Sequence, residues 1–98
     1  MTEPLTGISA ASAQAADAMQ AAYFRGVLAD HRAHLEAALT KVRSQAETHE
    51  EAGNRFEVHR LRRQVREHNF ELSQVDWLIS GLDRRYTQAW ADLRAEIF

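Results

Sequence analysis

Between Val58 and Ile97 the apolar residues recur alternately three and four positions apart, through Val58, Leu61, Val65, Leu72, Val75, Ile79, Leu82, Tyr86, Ala89 and Leu93. That is the a/d seam of a heptad repeat, the spacing of a helix built to lie along another helix. His68 occupies one d position, Glu96 falls at the end, and no Pro interrupts the run. The rest of the chain is best read as the partner of this helix.

Met1 to Gly7 contains Pro4 and Gly7, neither of which suits a helix interior, and residues 1–8 are expected to be a disordered lead. Ser9 is a plausible N-cap. From Ala10 to Ala22 the chain is dominated by Ala, the strongest helix former, without a bulky seam. A seam then follows through Phe24, Leu28, Leu35, Leu39, Val42 and Ala46, which predicts one helix over about 9–52.

Gly53-Asn54 punctuates the two patterns. Gly supplies the left-handed residue that ends a helix, Asn54 can cap the next, and Glu57 three residues on completes a capping-box-like pair. So short a connection forces the helices antiparallel. Folding there sets residues whose numbers add to about 107 side by side: Val42 with Val65, Leu39 with His68, Leu35 with Leu72, Leu28 with Ile79 and Ala21 with Tyr86. At the open end small Ala faces Tyr86, Ala89, Trp90 and Leu93, and at the turn Glu47, Glu50 and Glu51 come within reach of Arg55, Arg60 and Arg62. The predicted fold is all-α, an antiparallel two-helix coiled-coil hairpin with helices over about 9–52 and 55–97, forming one domain over 9–98.

Length and one surface pattern change this picture. A 98-residue chain buries only about 60–65% of its unfolded surface, so self-association is expected to support it. Phe56, Phe70, Trp77 and Phe98 stand at f positions of the second helix, opposite the seam, where a solvated hairpin would carry charge. The first helix offers a stripe of small residues, Gly26, Ala29, Ala33, Ala37 and Thr40. Trp77 and Phe70 are expected to cover Gly26, Ala29, Ala33 and Ala37 of a second copy across a two-fold axis, giving a four-helix bundle.

Charge and candidate chemistry narrow the function. The 14 acids and 12 bases leave a net charge of −2, which argues against general affinity for polyanions. All bases but Lys41 are Arg, a skew that suits a GC-rich coding sequence in a bacterium. Arg55, Arg60, Arg62, Arg63 and Arg66 form the one basic cluster, a candidate phosphate-tracking patch, interleaved with Glu57, Glu67 and Glu71. His31, His49 and His68 fall at or beside seam positions and are expected to be buried, with Asp76 facing His31. Neither helix carries the Glu-x-x-His pair of di-iron bundles, so neither a metal nor another cofactor is expected. There is no Cys, no Gly-rich phosphate loop and no nucleophile triad, and a two-helix rod has no cleft; no catalytic residue is assigned.

No stretch reaches the roughly 20 apolar residues of a membrane span, and no signal peptide precedes the helices, which points to a cytoplasmic protein unless a signal-peptide-independent route exports it. In length and hairpin form the chain resembles the small secreted helical hairpins of type VII secretion. Their Trp-x-Gly turn stands here as Ala52-Gly53-Asn54, and their Tyr-x-x-x-Asp/Glu as Tyr86 followed four residues later by Trp90. That resemblance implies export with an obligate partner. The residues themselves point first to a non-enzymatic interaction or scaffolding module, with the secreted hairpin and an arginine-tract nucleic-acid binder as alternatives.

Overall fold

A computed structural model describes the backbone of residues 3–97 and the side chains of 12–96. Two helices, α1 (Glu3–Glu51) and α2 (Arg55–Ile97), fold back on each other as an antiparallel hairpin in a rod of 76 × 27 × 15 Å. The all-α hairpin read from the sequence is thus the fold.

α1 begins at Glu3, ahead of the start expected at Ser9. Pro4 falls in the first turn, where backbone N–H groups have no intrahelical acceptor, so its missing donor costs no bond. The lead expected over 1–8 is therefore helical from residue 3, with Ser9 inside the helix; Met1 and Thr2 lie outside the described residues.

The turn is a complete Schellman motif. Gly53 adopts φ 74°, its N–H donates to Glu50 O at 3.1 Å, and Asn54 N–H reaches back to His49 O at 2.9 Å. Asn54 O then accepts from Val58 N at 3.1 Å, starting α2. The capping-box pairing expected of Glu57 is not made. Asn54 N–H, which that carboxylate would have accepted, is already committed to His49, and Glu57 turns instead to Arg60 with a closest approach of 2.7 Å.

Packing follows the register set by this turn. One cluster joins Leu28, Leu35 and Val75 with Leu72, Ile79 and Leu82, and a second joins Val42, Ala46 and Leu61 with Val65. On α1 the buried residues are Ala18, Ala21, Leu28, Leu35, Leu39, Val42 and Ala46. These step by three and four only if Arg25 and Arg32 fill the two vacant places. Phe24, expected in the seam, is instead 47% exposed, because counting back from Leu28 the stripe passes through Arg25 and Ala21 and leaves Phe24 one place off.

At the open end small residues admit large ones as expected. Ala18 is almost fully buried, and the Trp90 indole reaches across to donate Nε1–H to Ala18 O at 2.8 Å. Trp90 also stacks on Tyr86, with ring centroids 5.9 Å apart.

Leu61 is the most enclosed large side chain, 2% exposed, whereas Phe70 is 65% exposed. Leu61→Ala should lower stability by about 2–4 kcal/mol, while Phe70→Ala in dilute solution should leave it nearly unchanged. Thermal unfolding followed by circular dichroism checks both; equal effects would contradict the core described above.

Candidate functional site

The two arginines in the α1 stripe define one flank of the rod. Arg25 places its guanidinium against Asp83, with Nε to Oδ1 at 2.5 Å and Nη2 to Oδ2 at 3.1 Å. One heptad on, Arg32 meets Asp76 with Nε to Oδ1 at 2.5 Å, and also holds Glu36 of its own helix. Both arginines are half-buried, standing at steps of the stripe while their heads pair at its edge. The pairing changes the acid's chemistry: hydrogen bonding from Arg25, reinforced by its charge and opposed by desolvation, holds the Asp83 carboxyl below the ordinary carboxylate range.

The opposite flank carries the groove. Tyr23 and Phe24 of α1 and Trp77, Leu78, Gly81 and Tyr86 of α2 line an open depression of about 620 Å³, with Asp17 and Arg85 at one end. Tyr23 is 76% exposed, Trp77 70% and Leu78 40%, and Val27 extends the apolar surface at 45%. One heptad beyond Phe24 and Leu78, His31 and Glu71 are joined Nε2 to Oε1 at 3.0 Å. Arg85 lies over the Tyr86 ring, 5.3 Å from its centroid.

Phe56, Phe70 and Trp77 are exposed at 78%, 65% and 70%; Phe98 lies outside the described residues. Trp77 shares its groove with Tyr23 and Phe24, not with the small stripe. Gly26, Ala33 and Ala37 are exposed and Ala29 half-buried on another side of α1. The sequence reading missed the α1 half of the groove because Phe24 had been assigned to the seam. The signal was present in the gap at positions 25 and 32, where an arginine occupies each vacant step of the repeat.

The basic cluster divides. Arg60 is held by Glu57, and Arg62 by Glu50 at 3.0 Å, the one acid–base contact across the turn that matches expectation. Arg55, Arg63 and Arg66 are exposed and have no carboxylate within 4 Å among the described residues. Of the histidines, His31 is exposed and His49 and His68 half-buried, so the expected burial is corrected. Asp76 does not face His31: the Arg32 guanidinium takes the carboxylate, leaving His31 to Glu71. His34 and His68 each donate Nδ1–H to the carbonyl four residues back, at 2.8 and 2.7 Å.

No protein family, curated protein or solved structure matches the chain. The groove and the exposed Arg55, Arg63 and Arg66 are the two surface features of the described residues able to engage a partner.

Two outcomes follow from this geometry. Because Asp83 binds its proton less readily when folded, the pair contributes stability above the carboxylate range that is lost as pH falls through it. The decline in melting temperature between about pH 5 and 3 should accordingly be shallower for Asp83→Asn than for the wild type; parallel curves would show that the pair carries none of it. At Gly26 an added Cβ meets nothing within 4 Å, so Gly26→Ala should raise stability by about 0.5–1 kcal/mol. A loss in the same thermal melt would mean that the small stripe is closely covered in solution.

Proposed function

We propose that the protein is a non-enzymatic interaction or scaffolding module, working in the cytoplasm through helix-bundle and coiled-coil contacts made on one flank of the hairpin. The observation that carries this reading is the groove itself. Aromatic and aliphatic side chains from both helices meet there in open solvent, an arrangement that monomeric proteins seldom leave uncovered on this scale. Trp and Tyr are also the residues that most often anchor protein interfaces. A helix is the occupant this surface suits, since the lining residues come from about two turns of each helix, side by side along the rod.

Nothing in the groove favours catalysis. Its polar members, Asp17, Gln20 and Arg85, stand at the rim, and no nucleophile lies beside a base within it. Arg55, Arg63 and Arg66 support a second reading, contact with a polyanion, but three exposed cations in a chain of net charge −2 are a small electrostatic footprint.

A photoreactive phenylalanine analogue placed at position 77 tests the proposal in the native host. It should give a discrete protein adduct, whereas the same probe at position 33 or 66 should give none. No adduct at 77, or an equal yield at 66, would count against the groove as the working surface, and a nucleic-acid adduct at 66 would favour the arginine-tract reading.

A further inference from the structure

We infer that the groove is occupied by a second copy of this chain, packed across a two-fold axis that lies perpendicular to the rod at the height of Phe24 and Leu78. The inference rests on the interaction reading above and names its partner.

Along this flank, residues one heptad apart form three levels. Asp17 and Arg85 stand at one end of the groove, Phe24 and Leu78 at its other end, and His31 with Glu71 one heptad beyond it. Charge is thus distributed about an apolar centre with opposite order on the two helices: acid, apolar, base along α1, and acid, apolar, base along α2 from Glu71 to Arg85. A two-fold axis through the centre reverses each helix over its own copy. Asp17 then lies over His31 of the second copy, and Arg85 over Glu71 of the second copy, so that the guanidinium meets a carboxylate and the Asp17 carboxylate meets an imidazole able to donate to it.

Shape agrees with this direction. Reversal about Leu78 brings Trp77 over the neighbourhood of the second copy's Gly81, where the sole atom within 4 Å of an added Cβ is the tip of Arg84 at 3.9 Å. The indole is therefore received where the surface is lowest. An axis along the rod would also pair unlike charges, but it would stack Trp77 against the bulky Tyr23 and Phe24 side. Area is sufficient as well. At roughly 150–250 Å² per aromatic side chain, the exposed parts of Tyr23, Phe24 and Trp77 supply on the order of 400 Å² per copy. Val27 and Leu78 bring the two-copy total near the roughly 1,000 Å² that a specific interface needs.

Charge reversal tests the axis directly. Arg85→Glu places an acid over Glu71 of the second copy, and Glu71→Arg places a base over its Arg85. Each variant alone should sediment as a monomer at micromolar concentrations where the wild type is a dimer, its dissociation constant raised roughly tenfold or more. Mixed in equal amounts the two variants should form a heterodimer of near wild-type affinity, since each altered residue then meets its opposite. Unchanged circular dichroism would show that both remain folded hairpins, and Gly81→Ala, which is benign for the isolated helix, should weaken the dimer. A wild-type monomer at high micromolar concentration overturns the proposal, as does a mixture that stays monomeric, the result expected for an axis along the rod. Failure of this kind is distinct from failure of the interaction reading, which falls if position 77 captures no protein or captures no more than position 66.

Discussion

A hairpin of two helices has a single interface in which to bury apolar side chains, so every layer of this protein depends on the register between α1 and α2. Gly53 sets that register. Its left-handed conformation allows the Schellman bonds to close α1 and leaves Asn54 positioned to open α2 within one residue. From that point Ala46 can only meet Leu61, Val42 meets Val65, and Leu35 meets Leu72. A longer or looser turn would permit other alignments of two heptad patterns that are each nearly periodic.

The two Arg–Asp pairs reinforce the same alignment at the half of the rod farther from the turn. A slip of one heptad in one direction would bring Arg32 opposite Asn69, and in the other would set Arg25 opposite Trp90. Each pair is partly exposed and worth little as a net contribution to stability, about 0–1 kcal/mol. Its effect is selective, because each alternative loses an ion pair between the helices: Arg25 is left without its carboxylate in one direction, and Arg32 keeps only Glu36 of its own helix in the other. Specification of register is the best-attested use of polar residues at seam positions.

Much of this was legible in the chain. The three-four alternation in α2 is nearly unbroken, so helix, seam and the small-against-large packing of Ala18 and Trp90 followed from spacing alone. Gly53 marked the turn because few other residues tolerate its φ. What misled was α1, where alanines outnumber bulky residues and a conspicuous Phe24 draws the eye from the true stripe. Apolar periodicity identifies a seam only when its members are apolar, and Arg25 and Arg32, half-buried with their heads paired to Asp83 and Asp76, are not. The same displacement concealed the groove, since a phenylalanine assigned to the core cannot be counted on the surface. Histidine burial was overestimated for a related reason: in a seam this thin a side chain beside the stripe still reaches water.

The position of the groove follows from the composition of the seam beneath it. From Leu35 to Ala46 the α1 stripe is Leu, Leu, Val and Ala, and it fills the space between the helices. From Ala18 to Arg32 it is Ala, Ala, Arg, Leu and Arg, which offers less apolar bulk per layer. Bulk that would otherwise sit between the helices, in Phe24, Tyr23, Trp77 and Leu78, is carried on the flank. The half of the hairpin with the least internal apolar burial is therefore the half with the most apolar surface to offer a neighbour. A molecule bound there would stabilise the folded state by mass action, and it would do so where local opening is easiest. A partner that covered Trp77 would thereby couple its own binding to the folding of this half, completing the packing that the alanine and arginine layers leave thin.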